Sequence, residues 1–208
     1  MVTTAPYPLF NNRTLVGHIA EMKQEGITCV PHFLHEQTRI GMLQELDSAH
    51  LHTAAPEVGA YKIKQDYQYT GDFAADSLFI SVQKALQKQL NISCESALPG
   101  CLSVPLEFTD LLAHRYRPTD LGISPHRDGL KYLNIIAVFV LEGQGRFGMC
   151  DDREGTNTRE VRNEPGDLLL MRAPGFCGEN IQPFHFVDQI VTQRTSFALR
   201  HNRVPEAN

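Results

Sequence analysis

Asn134-Ile135-Ile136-Ala137-Val138-Phe139-Val140-Leu141 is a continuous apolar run, the pattern of a strand buried on both faces. Behind it, Glu142-Gly143-Gln144-Gly145 turns the chain. Arg146 to Cys150 and Arg159 to Asn163 then flank the polar loop Asp151-Asp152-Arg153-Glu154-Gly155-Thr156-Asn157, which reads as a hairpin with a solvated tip. Pro165-Gly166-Asp167 is a tight turn into a second buried strand, Leu168-Leu169-Leu170-Met171. Gly175, Gly178 and Pro183 make a loose connection to a short strand around His185. Several short strands separated by turns indicate a sandwich or barrel.

The residues before Asp110 read differently. Thr14 is placed to cap a helix bearing Leu15, Ile19 and Met22, stopped by Gly26, and Ile27 to Val30 is a short strand. Glu36 to His50 reads as a second helix with Ile40, Met42, Leu43 and Leu46 on its inner side. His32, His35, His50 and His52 are read as surface or helix-end histidines. In Tyr61-Lys62-Ile63-Lys64-Gln65-Asp66-Tyr67-Gln68-Tyr69 the odd positions carry tyrosines and an isoleucine, which suits either a half-buried edge strand or a flap over a substrate. Asp76 or Ser77 caps the most regular helix, with Leu78, Val82, Leu86 and Leu90 four apart and Phe79 alongside. It is expected to pack on the outside of the sheet.

Two stretches carry chemistry. In Ser124-Pro125-His126-Arg127-Asp128-Gly129, positions i and i+2 of an extended chain share a face, so His126 and Asp128 converge while Arg127 points away. An imidazole and a carboxylate make part of a non-haem metal site, which needs one further histidine. In Gln193 to Arg200, alternation places Arg194, Ser196, Ala198 and Arg200 on one face and Thr195, Phe197 and Leu199 on the other. Two arginines and a hydroxyl on a buried face call for an anionic ligand, because guanidinium grips carboxylate bidentately.

Taken together, His126-x-Asp128, the distal His185 and Arg194-x-Ser196 resemble the iron(II)- and 2-oxoglutarate-dependent dioxygenases. Leu112-Ala113-His114-Arg115-Tyr116-Arg117-Pro118 extends the match. Family members often carry Asn-x-Tyr there; Tyr116 fits and His114 stands in place of the asparagine. Arg115-Tyr116, Gly122 to Asp128, and Arg194 followed by Arg200 look most like the AlkB-like subgroup. The resemblance covers residues 110–202. It implies a mainly β fold with supporting helices (α+β), a double-stranded β-helix or jelly roll. One domain over 1–208 is expected, with 1–109 as helical and strand support and 110–202 as the core. It further implies iron(II) held by His126, Asp128 and His185, and 2-oxoglutarate held by Arg194 with Ser196 and Tyr116. Arg200 would be a second co-substrate contact or a structural ion pair. Dioxygen and 2-oxoglutarate would be consumed, giving succinate and carbon dioxide, while a C–H bond is oxidised.

The chain has 208 residues, 42% hydrophobic and 21% charged, ordinary for one globular domain. Its formal charge of -5 and scattered basic residues speak against a protein built to grip phosphates. Cys29, Cys94, Cys101, Cys150 and Cys177 are irregularly spaced and read as reduced thiols of a cytoplasmic protein. The N-terminal stretch has no secretory pattern, and no stretch is apolar enough to span a membrane. The expected function is therefore oxidation of a small-molecule substrate. The alternatives are an AlkB-like dealkylase of nucleobases or another macromolecule, a non-catalytic cupin-type metal-binding protein, and a purely structural jelly roll. The cupin-type reading leaves Arg194-x-Ser196 without a purpose.

Overall fold

The computed structural model describes residues 7–203. In chain order the elements are α1 (Val16–Glu25), β1 (Ile27–Val30), α2 (Glu36–Asp47), β2 (His52–Thr53), β3 (Glu57–Val58), β4 (Ile63–Asp66), β5 (Gln68–Thr70) and α3 (Leu78–Ala97). They continue with β6 (Asp110–Tyr116), β7 (Gly122–His126), β8 (Tyr132–Glu142), β9 (Arg146–Cys150), β10 (Arg159–Val161), β11 (Leu168–Arg172), β12 (Phe184–Asp188) and β13 (Arg194–Asn202).

The strands form two antiparallel sheets. One has seven strands in the order β1-β11-β8-β13-β6-β5-β2, and the other six in the order β10-β9-β12-β7-β4-β3. From β6 onward successive strands alternate between the sheets, except at the β9–β10 hairpin. This is the mainly β jelly roll expected from the sequence. It closes because each sheet has an apolar face to hide and the two faces hide each other.

The run that opened the argument, β8, shows why this sheet is central. Ile135, Ala137, Phe139 and Leu141 point to one side, into the core that α1, α2 and α3 cover. Ile136 and Val138 point to the other, into the space between the sheets. Strand β11 splits the same way, with Leu168 and Leu170 under the helices and Leu169 and Met171 between the sheets. A strand covered by helices on one face and a sheet on the other loses the polar alternation of a half-exposed strand.

The helices follow their local signals in most respects. Ser77 caps α3, its Oγ accepting the Ile80 N–H at 3.3 Å, and Phe79, Val82, Leu86 and Leu90 are buried. Replacing Ser77 by Ala should lower stability by about 1 kcal/mol, read as a shift of the urea midpoint at unchanged slope. At the end of α1, Gly26 takes φ 86°, a left-handed conformation that a side chain resists. The sequence reading needs correction at two places. Leu15 holds the cap position of α1 without a side-chain cap, and Thr14, one residue earlier, accepts the Val16 N–H through its Oγ1 at 3.4 Å. Helix α2 ends at Asp47 and buries Thr38, Met42 and Leu46, while Ile40 is 42% exposed. Among the described residues no helix is long and apolar enough to cross a membrane.

Candidate metal centre

Strands β7 and β12 are antiparallel neighbours, and the register places His126 opposite His185. The two rings come to 4.3 Å between centroids. Asp128 lies just past the end of β7, and its Oδ2 is 3.6 Å from His185 Nε2. One ligand atom from each of the three residues lies within 4.8 Å of the other two. Among the described residues this is the one group of three or more His, Cys, Asp or Glu arranged to hold a cation. Two nitrogens and one carboxylate oxygen on one side of a space are the donor set of a facial triad. Asp151 and Asp152 take no part. Asp152 is occupied at the loop tip by the Thr156 N–H at 2.9 Å and the Thr156 hydroxyl, and Asp151 by Asn157.

The backbone sets the tautomer of both rings. His126 Nδ1 is 2.9 Å from the Ser124 carbonyl, and His185 Nδ1 is 3.5 Å from the Pro183 carbonyl. A carbonyl accepts only, so each Nδ1 carries the proton and each Nε2 keeps its lone pair for a cation. Burial holds both imidazoles neutral. It lowers the pKa of His126 and, because two adjacent imidazoles resist both being protonated, pushes His185 down to about 3. Burial acts on Asp128 in the opposite sense, but Arg200 and the nearby histidines outweigh it and keep the carboxyl below its usual range. Phe147 stacks on His185 at 5.8 Å and 17°.

Strand β13 supplies the other end of the site. Arg194, Ser196, Ala198 and Arg200 all face a cavity of about 580 Å³ that also contains the triad. Thr195, Phe197 and Leu199 point away, Phe197 and Leu199 into the helix-covered core. Arg194 is 1% exposed. It has no carboxylate within ion-pair distance among the described residues, and its Nε has no partner. Its nearest polar contact is Asn163 Oδ1 at 3.4 Å, and its guanidinium sits 5.7 Å from the ring of Tyr116, directly across the ladder. Burial without a counter-charge pulls its pKa down. An uncompensated buried guanidinium costs several kcal/mol. A carboxylate arriving in this cavity would remove that penalty, so the donor set fits a dianion with one end at Arg194.

Arg200 behaves differently. Its Nε is 3.3 Å from Asp128 Oδ1 and its Nη1 is 3.4 Å from Asp110 Oδ1. Tyr132 donates its hydroxyl to Asp110 Oδ2 at 2.7 Å. Arg200 thus sits in an ion-pair arrangement while lining the same cavity. Asp110, Tyr132 and Asn163 are missed by the sequence reading. Asp110 faces Arg200 across the β6–β13 ladder, a partnership that alternation along a single strand does not reveal. His114 is buried against Tyr67, rings at 5.1 Å and nearly perpendicular. Burial first, then the charge of Arg200, pushes it down to about 3.

The His114 shift has a consequence for stability. Its pKa is lower in the folded protein than the ordinary value near 6.5, so the unfolded chain binds the extra proton. The stability gained by keeping the ring neutral is complete above about pH 6.5 and is lost as the pH falls toward 3. Acid unfolding of the metal-free protein should therefore begin in that window, and His114→Gln should flatten the profile there. A wild-type midpoint independent of pH between 6.5 and 4 would contradict it.

The segment read as edge strand or flap forms two strands, neither of them at a sheet edge. Strand β4 pairs with β7 in the six-stranded sheet and β5 pairs with β6 in the seven-stranded one. Tyr67 lies at the crossing. Ile63, Gln65, Tyr67 and Tyr69 line the cavity, and Tyr61 is 71% exposed.

No family model and no curated protein matches the sequence. Solved structures do match. A prolyl hydroxylase from Trichoplax adhaerens, in complex with a hypoxia inducible factor oxygen degradation domain peptide, superposes with a TM-score of 0.68 at 13% identity, covering 91% of each chain. A Pseudomonas putida prolyl-4-hydroxylase gives 0.64 at 18% identity over 92% of this chain and 100% of its own. An oxidoreductase of the 2OG-Fe(II) oxygenase family from Burkholderia pseudomallei gives 0.59 at 17% identity over 99% of both. At such identities the likeness is one of fold, and the chain shares the jelly-roll fold of these structures.

Proposed function

We propose that this protein is an Fe(II)- and 2-oxoglutarate-dependent dioxygenase that oxidises a C–H bond of a small molecule. The observation that carries the reading is Arg194, a buried guanidinium without a carboxylate, sharing one cavity with two neutral imidazoles and a carboxylate. A metal-binding or sensor protein of the cupin type needs the triad but not the guanidinium. A keto acid with a distant carboxylate uses both ends. When bound, the metal with 2-oxoglutarate and dioxygen supplies the oxidising power, and succinate and carbon dioxide leave as co-products.

The chain's own residues do the positioning. His126 and His185 present Nε2, with Nδ1–H tied to backbone carbonyls so that the rings hold their orientation. Asp128 is steered by Arg200, which is itself anchored by Asp110. Arg194 receives the far carboxylate of the co-substrate, with hydroxyl groups from Ser196 and Tyr116 beside it. Burial raises the Tyr116 phenol well above its ordinary pKa, so it remains a hydrogen-bond donor at neutral pH. Phe147, Val138 and Met171 line the inner wall and keep water from the reacting centre. A cavity of about 580 Å³ is in the range that encloses a small molecule. The finer likeness to the AlkB-like subgroup rests on the residues around 115–128 and 194–200.

A nucleobase substrate is the second reading, and the charge distribution disfavours it. The chain carries -5 overall, and a nucleic-acid dealkylase must neutralise several phosphates. The anaerobically purified protein, given iron(II) and 2-oxoglutarate and then air, should release succinate only when both are present. Labelled single- and double-stranded oligonucleotides at two salt concentrations should bind weakly. Tight, steeply salt-dependent binding, with succinate release driven by a methylated oligonucleotide, would move the substrate to nucleic acid. Absence of succinate under every condition would end the enzyme reading.

A further inference from the structure

The cavity is charged opposite to the chain that contains it. Arg127, Lys131, Arg194 and Arg200 line it, and Asp128 is its one carboxylate. A ferrous ion and a 2-oxoglutarate dianion would cancel each other, leaving the lining three positive charges in excess. Arg200 is satisfied by Asp110 and Asp128, and Arg194 faces the co-substrate end. Arg127 and Lys131 remain.

Both lie at the outer end of the cavity, and neither has a carboxylate within ion-pair distance among the described residues. Most arginines elsewhere are paired: Arg39, Arg115, Arg117, Arg146, Arg159, Arg162 and Arg172 each reach a Glu or Asp, while the exposed Arg13 and Arg203 reach none among the described residues. Arg153 joins the exceptions. Its guanidinium lies 3.8 Å from the centroid of the exposed Tyr61 ring and 5.5 Å from that of Phe184. Arg127 lies 4.1 Å from the same Phe184 ring. Two guanidiniums therefore converge on one aromatic ring beside His185, held by ring faces instead of counter-ions. The cavity wall is apolar and aromatic, with Ile63, Tyr67, Ile123 and Phe147.

We infer that the substrate is an amphiphilic anion: an apolar or aromatic body that enters between Tyr67 and Phe147, and a terminal carboxylate or phosphate ester held at the mouth by Arg127 and Lys131, with Arg153, over the same Phe184 ring as Arg127, adding to the field. The inference rests on the proposed dioxygenase reading. Planar guanidinium groups suit either anion, because both offer two oxygens in the fork geometry. Arg127 and Lys131 are specificity-determining residues in this arrangement, and Arg153, held over Tyr61 and Phe184, reinforces the field.

The test uses the full chain loaded with iron(II) and 2-oxoglutarate. Aryl and alkyl carboxylates of graded length, the matching phosphate monoesters, and the corresponding neutral amides and alcohols are compared as triggers of succinate release, with direct calorimetric titration of the same compounds. One anionic series should exceed its neutral counterparts by at least about tenfold in kcat/KM, a preference weakened by salt. Arg127→Glu and Lys131→Glu should each erase the preference through KM, and Arg153→Glu should weaken it. Arg159→Glu, which reverses a charge paired with Glu25 elsewhere, should not. Tyr61→Leu should give a smaller loss in the same direction. Equal response to anions and neutrals overturns the inference, as does a protein that binds 2-oxoglutarate yet answers neither anionic series. Failure to bind iron(II) and 2-oxoglutarate at all is a failure of the dioxygenase reading instead, and the calorimetric comparison of anions with neutrals still decides the anion site.

Discussion

His185→Ala abolishes 2-oxoglutarate turnover and reduces iron(II) affinity by more than about a hundredfold, while the fold persists. Replacing groups that only orient metal ligands typically costs ten- to a hundredfold, and losing a ligand itself costs more. His185 is paired in register with His126, and it is neutral without any help from a metal because burial holds its pKa near 3. Removing it leaves one nitrogen and one carboxylate, too few to define a facial site. The backbone hydrogen bonds of β12 to β9 and β7 do not involve the imidazole, so the sheet remains. Anaerobic iron titration with a parallel thermal melt separates the two effects. Full activity in the variant would refute the ligand assignment, and His126→Ala and Asp128→Ala should behave alike.

The second large effect is at Arg194. Arg194→Ala raises the 2-oxoglutarate requirement by a factor of tens to thousands, since loss of a buried charge partner costs on the order of 2–5 kcal/mol. The apo-protein should respond oppositely to intuition. Arg194 is buried without a counter-charge, so its removal relieves a penalty and offsets part of the packing lost. The wild-type protein should gain thermal stability as 2-oxoglutarate is added, by mass action, and the variant should not. Arg200→Ala should leave 2-oxoglutarate affinity less affected and impair iron binding instead, because Arg200 contacts Asp128 and Asp110. Equal 2-oxoglutarate affinity in wild type and Arg194→Ala would sink the pocket.

These two results bear on what the sequence made legible. The alternation in residues 193–200 is a period of two that any strand obeys, so the cavity-facing set was readable directly. The apolar run 134–141 was equally plain, because burial on both faces leaves a mark that no other short element leaves. Helix α2 was misjudged for a physical reason. Its apolar residues are evenly spread, so periodicity could not choose between the Ile40 face and the Met42 face; the choice is made by what packs there. The contribution of the first hundred residues to both sheets was only partly visible: residues 27–30 and 61–69 read as strands, but β2 and β3 are two residues each, too short for any period. Asp167 was seen only as part of a turn. In the structure it is fully buried, accepting from Arg162 Nε at 2.9 Å, the His32 N–H at 2.8 Å and the Glu164 N–H at 3.0 Å. Its partners lie far apart in the chain, and a long-range hub of this kind is decided by topology.

The position of β13 has a kinetic meaning. It follows every other strand in chain order, yet it sits in the middle of the seven-stranded sheet, between β8 and β6. Until it arrives, β8 and β6 each present an unpaired inner edge beside apolar side chains, the kind of edge that templates aggregation. Formation of the sheet must then wait for contacts between segments far apart in the chain, which makes folding slow. The same strand carries Arg194 and Arg200, and the adjoining β12 carries His185. Metal capture and co-substrate binding are therefore acquired at the closing step of folding, so a partly synthesised or partly folded chain cannot assemble the complete site ahead of the barrel that encloses it.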